Sequence, residues 1–184
     1  MKILVCAATW WEMKIIKNNI KNLNLIWLSV SFLTTGIWNY ETIFSLTNYL
    51  LTHKEETPDL ILNIWVCGYV WEKLELVQIA RIINASTGKE SIVPVPQIIA
   101  PVNTCLCSET PVYEKNLDEE NYIVDMESWA IDYVGQKFQI PRILIKIPVD
   151  QVWEETLAFD RDQALEILEK NIDWKKFLES IMTK

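Results

Sequence analysis

One stretch limits what this chain can fold into. From Tyr122 to Val152 it reads YIVDMESWAIDYVGQKFQIPRILIKIPVDQV: a short strand, an acidic turn, a helix, a second strand and a second acidic turn. Two carboxylates, Glu127 and Asp150, sit where the chain leaves a buried element. In α/β proteins that is where ligands and chemistry gather.

The rest of the chain repeats the alternation. Lys2 to Ala8 is a nearly continuous apolar run and predicts a buried parallel strand. Thr9 can cap a helix over Trp10 to Ile20, where Trp10, Met13, Ile16 and Ile20 follow helical spacing. Asn24 to Leu33 predicts one or two strands. Trp38 to Leu51 predicts a helix whose core face is Ile43, Leu46 and Leu50, widened by Phe44 and Leu51. Leu60 to Cys67 is the clearest buried strand, with Gly68 as a turn after it, and Leu74 to Ile83 supplies another. Ser86 to Pro101 carries three prolines and reads as loop or edge strand. Pro101 to Cys107 re-enters the sheet, and Ser108 to Asn121 is a solvated acidic turn and helix start.

Tyr122 to Asp125 is a strand, Glu127 to Phe138 a helix, and Arg142 to Val149 a strand that Pro148 brings to an end. Asp160 to Met182 is a final amphipathic helix with room for a break near Asn171 to Trp174. The expected fold class is α/β: a three-layer α/β/α sandwich around a central mixed, mostly parallel sheet, as one domain over residues 1–184.

Charge narrows the ligand. A net charge of −8 with only Arg81, Arg142 and Arg161 as arginines argues against a nucleic-acid backbone binder. No apolar run reaches membrane-spanning length, and Met1 to Ala8 is too short for a secretory leader. A cytoplasmic protein with reduced thiols is expected. Cys105-x-Cys107 is half of a metal-site spacing, but His53 is the lone histidine and no second pair follows. Buried or half-buried thiols are expected there, with no metal and no cofactor.

Three carboxylates therefore stand at element boundaries: Glu12, Glu127 and Asp150. Convergence at one end of the sheet would suit acid/base chemistry on a neutral substrate. Two of them close together would push one pKa up and leave an acid beside a base. Taken alone, Glu12 is also a carboxylate favoured by the helix dipole.

MKILVCAATWWEM, LTTGIWN, PDLILNIWVCGYV, VDMESWAIDYV and KFQIPRILIKIPVD together resemble the nucleoside phosphorylase and nucleoside hydrolase superfamily. Within it the likeness is to the hydrolytic branch, the methylthioadenosine/S-adenosylhomocysteine nucleosidases and futalosine hydrolases. The resemblance implies cleavage of an N-glycosidic bond. Glu12 would activate water, Met126 and Glu127 would hold the ribose, and Asp150 would hydrogen-bond or protonate the purine. It also implies a small nucleoside-like ligand and a homodimer or larger homo-oligomer, a guess the nine Trp also favour.

The sequence departs from the family at Trp38, Trp65 and Tyr69, where small residues or glycine turns are usual. Each ring could project into the pocket. Val149 replaces a usual Ser, and Asn84 to Asn103 is short for the family. The alternative to a nucleosidase is a weak or inactive relative that binds a nucleoside or serves as an oligomeric partner. The plainest alternative is an α/β domain whose carboxylates are helix caps.

Overall fold

A computed structural model describes residues 1–23, 25–70, 75–94, 102–113, 121–152, 161–170 and 172–182. In strand β1 (Lys2–Ala7) successive side chains enter different cores: Ile3, Val5 and Ala7 one, Leu4 and Cys6 the other. A strand apolar on both faces must be covered on both. On one side α1 (Trp10–Lys21) contributes Met13, Ile16 and Ile20. Helices α4 (Arg161–Lys170) and α5 (Trp174–Met182) add Leu168, Phe177, Leu178 and Ile181 to that core. On the other side α2 (Asn39–Thr52) supplies Leu46 and Leu50, and α3 (Ser128–Phe138) supplies Ile131 and Val134.

The remaining strands are β2 (Ser29–Thr34), β3 (Leu60–Val70), β4 (Val77–Asn84), β5 (Glu90–Ile92), β6 (Val102–Cys107), β7 (Tyr122–Asp125) and β8 (Arg142–Gln151). Among the described residues they form one mixed sheet in the order β2-β1-β3-β7-β6-β4-β5, with β8 pairing both β3 and β4. β1 is parallel to β2 and β3, β3 to β8, and β6 to β4 and β7. The β3–β7, β4–β5 and β4–β8 pairs are antiparallel. The expected α/β class with a mixed, mostly parallel sheet is what the chain adopts.

Several local expectations need correction. Gly68 is not a turn, because β3 runs through it to Val70. Pro148 does not end its strand either: β8 continues to Gln151. Both follow from one irregularity, since Cys67 pairs with Pro148 and Gly68 with Asp150, leaving Val149 as an extra residue. A bulge is where a strand tolerates a proline and re-aims the next side chain. On α2, Phe44 is 71 % exposed and Leu51 half exposed, so they do not widen the core face. That face is turned toward Asn39 and Thr42, buried polar residues whose hydrogen bonds offset the cost of burial.

Asn24 to Leu33 yields one strand among its described residues, beginning only at Ser29. The final helix is two helices, broken where a break was allowed. Leu74, the prolines at 96 and 101 and most of the acidic run after Tyr113 lie outside the described residues. No helix among the described residues is long and apolar enough to cross a membrane.

Candidate active site

Glu12 is placed by the start of α1. Thr9 and Glu12 form a capping box: the Glu12 amide donates to Thr9 Oγ1 at 3.5 Å, and Glu12 Oε2 accepts from the Thr9 amide at 3.0 Å. Thr9 Oγ1 also donates to Oε2 at 2.6 Å. Oε1 is buried and accepts no hydrogen bond among the described residues. The helix-cap and functional readings of Glu12 are therefore compatible: one oxygen serves the helix and the other is left over.

Glu127 is the N-cap residue of α3 and is buried. Its Oε1 accepts a 3.0 Å hydrogen bond from the Trp38 amide, 89 residues away in sequence. Trp38 adopts φ 74°, ψ 154°, a region that side chains other than glycine rarely occupy and that costs of the order of 1–3 kcal/mol. Asp150 stands just past the Val149 bulge. Gly68 faces it across the pair: a Cβ there would press on Val152 Cγ2 at 3.1 Å and meet Asp150 Oδ2 at an ordinary 3.6 Å.

Glu12, Met126, Glu127 and Asp150 all line one cleft of about 270 Å³. Its walls are largely apolar, with Trp11, Ile37, Trp65, Val66, Val112, Val124 and Val152. Of the three aromatic departures, only Trp65 lines the cleft. Trp38 is half exposed outside it and contributes its amide, and Tyr69 is buried elsewhere in β3.

Burial dominates the electrostatics. It pushes the Glu12 carboxyl up to about 7, against the Thr9 hydrogen bonds, the Lys146 charge and a smaller influence of the Val66 amide. It pushes Glu127 up to about 8, with the Asp125 carboxylate next and Lys146 and the Trp38 amide opposing. Repulsion between Glu12 and Glu127 is a minor contributor, so desolvation does most of what carboxylate pairing was expected to do.

Two groups escaped the sequence reading. Lys146 is fully buried, and its Nζ lies 2.6 Å from Asp125 Oδ2. Asp125 Oδ2 also accepts from the Ser128 amide at 3.1 Å and from Ser128 Oγ, and Oδ1 accepts from Cys105 Sγ at 3.2 Å. Burial would raise Asp125, but Lys146 and these donors hold it below the ordinary carboxylate range. Burial would lower Lys146, but Asp125 above all raises it. The available signal was a lysine inside the apolar run RILIKIPV. Such a residue is buried only with a partner. Cys105 and Cys107 are free, buried thiols, raised by burial.

These shifts predict how stability follows pH. Folded Glu12 and Glu127 hold a proton more tightly than the ordinary value of 4.5. Across the window from about 4.5 to about 8 the folded state binds more protons than the unfolded one, so raising the pH lowers stability. Asp125 acts oppositely: its contribution is present above 3.8 and is lost as the pH falls through its lowered value. Urea midpoints measured from about pH 5 to about pH 8.5 should decline. A rising midpoint would mean that the glutamates are not buried as described.

No family model matches the sequence, and no curated protein matches it. Solved structures do. The nucleosidase MTAN of Chlamydia trachomatis bound to MTA superposes with a TM-score of 0.67 at 19% identity, covering 100% of this chain and 96% of that one. The 5'-methylthioadenosine/S-adenosylhomocysteine nucleosidase of Helicobacter pylori with butyl-thio-DADMe-Immucillin-A gives 0.75 at 14% identity, covering 100% and 98%. A futalosine hydrolase mutant of Helicobacter pylori gives 0.71 at 11% identity, covering 100% and 99%. Over its whole length, this chain has the nucleoside phosphorylase-like fold of those nucleosidases and that futalosine hydrolase.

Proposed function

We propose that the protein hydrolyses the N-glycosidic bond of a purine nucleoside or a close analogue. The observation that carries this reading is the meeting of Glu12, Glu127, Met126 and Asp150 in one cleft, with a Glu12 oxygen left without a partner. Glu12, at about 7, is poised to take a proton from water near neutral pH. The water oxygen bonds to the anomeric carbon as the carbon–nitrogen bond breaks. Asp150 hydrogen-bonds or passes a proton to the departing base. Glu127, at about 8, keeps its proton at neutral pH and can both donate to and accept from a sugar hydroxyl, with Met126 against the ring. The ionised Glu12 carboxylate, in a desolvated cleft, favours the positive charge that develops on the sugar.

Incubation with methylthioadenosine, inosine and futalosine, followed by detection of free base, tests the reading. Release from one of them is expected, with kcat/KM rising with pH through about 7 as Glu12 ionises. No Lys or Arg is among the described residues lining the cleft, so added phosphate should not raise the rate. Tight binding without release from any substrate would overturn hydrolysis in favour of a binding protein.

The working unit in this proposal is a homodimer or larger homo-oligomer. Tyr40 and Phe44, four residues apart on α2, are exposed beside the exposed Trp38. Aromatic residues of this kind concentrate at interfaces. Light scattering that gives the mass of one chain would remove this part.

A further inference from the structure

A helix begins with amides that have no partner inside it, and the side chain of its N-cap residue ordinarily takes one of them. At α3 that residue is Glu127, and its side chain takes none. The first three helical amides go elsewhere. Ser128 donates to Asp125 Oδ2 at 3.1 Å, Trp129 to Cys107 Sγ at 3.3 Å, and Ala130 to Asn39 Oδ1 at 2.9 Å. The Ile131 amide then bonds to the Glu127 carbonyl. Asn39 is the distant member of the set. It is the first residue of α2, buried, and 91 residues from Ala130 in sequence. Its two partners fix its orientation: the Ala130 amide needs an oxygen, and Glu109 Oε1, 2.7 Å from Nδ2, needs a donor. The residue before it, Trp38, gives its own amide to Glu127 Oε1. The start of α2 thus reaches the start of α3 at two adjacent points.

We propose that Asn39 is a positioning residue for Glu127: by capping α3 from another helix, it spares the Glu127 carboxyl for the cleft. The value of this to catalysis rests on the hydrolytic reading above; the placement of Glu127 does not. Glu127 stands three residues before Ala130. That is the spacing across which Thr9 accepts from the Glu12 amide at the start of α1. With Asn39 in place that role is filled, and Glu127 Oε1 accepts from Trp38 instead. Without Asn39 the Ala130 amide would be buried and unpaired, which is costly. Glu127 is then the residue at capping distance along the chain. A carboxylate that accepts helix amides is favoured in its charged form, and one turned onto its own helix no longer meets a ligand.

The test is a site-resolved carboxyl NMR titration without substrate, on the wild type, Asn39→Ala and Asn39→Asp/Glu109→Gln. The titratable groups that face Glu127, namely Asp125, Lys146, Glu12 and Cys107, are the same in all three. In Asn39→Ala the Glu127 midpoint should fall by about one unit, a roughly tenfold rise in the ratio of ionised to protonated carboxyl. The Trp38 amide proton should lose its hydrogen-bonded shift with it. The double variant returns an acceptor to Ala130 and a matching donor at position 109, so it should restore both signals. A loss of stability alone would not lower the midpoint. An unchanged or raised midpoint in folded Asn39→Ala would overturn the proposal, as would a double variant that stays at the Asn39→Ala value. Wild-type Glu127 titrating at or below its ordinary 4.5 would overturn it without any variant folding. Because no turnover is read, a protein that releases no base still tests it.

Discussion

Glu12→Gln should stop release of free base while leaving the fold in place. Glu12 does two things with two oxygens, and the substitution separates them. Glutamine also completes a capping box, so the amide oxygen of the substituted side chain can still accept from Thr9, as Glu12 Oε2 does at 3.0 Å and 2.6 Å. It cannot take a proton from water. Loss of a general base costs about 10²–10⁴-fold in rate, whereas the change in stability should stay below about 1 kcal/mol, the usual scale of a retained cap. Steady-state kinetics beside a thermal melt give both numbers. Turnover within about threefold of wild type would take Glu12 out of the mechanism. A collapsed melt with it would show that capping was the larger role.

Lys146→Met should be the most destabilising single change at the site. It strands Asp125, which is buried and lies 2.6 Å from the lost ammonium. Removing one partner of a buried pair costs about 3–5 kcal/mol. For a chain of 184 residues that lowers Tm by roughly 6–20 °C. Adding Asp125→Asn should recover much of the loss, because a neutral amide need not be paired with a charge and can still hydrogen-bond to Ser128. A single variant within about 1 kcal/mol of wild type would mean that Asp125 takes up a proton at little cost.

The elements were largely legible because their periods are local. The apolar run of β1, the helical spacing of Met13, Ile16 and Ile20, and the strand–helix–strand of Tyr122 to Val152 each reflect neighbours along the chain. The misreadings share one cause. Gly68 and Pro148 look like breakers in isolation, but β3 and β8 lie side by side and absorb both at a single bulge. Phe44 and Leu51 look like core, but Asn39 finds a partner across the fold at the Ala130 amide, Thr42 donates to the nearby Gly36 carbonyl, and α2 turns the other way.

The sequence by itself determined the alternation of strands and helices, the acidic boundaries at Glu12, Glu127 and Asp150, and a net charge of −8. Those are properties of residue type and spacing. Only the tertiary structure decided that the three carboxylates share a cleft, that Trp65 alone among the aromatic departures lines it, and that Lys146 and Asp125 lie buried as a pair. It also decided that burial, more than mutual repulsion, lifts Glu12 and Glu127 toward neutrality. The reason is physical: desolvation and charge pairing depend on what surrounds a group in space, and residues 89 positions apart, such as Trp38 and Glu127, become neighbours only when the sheet closes.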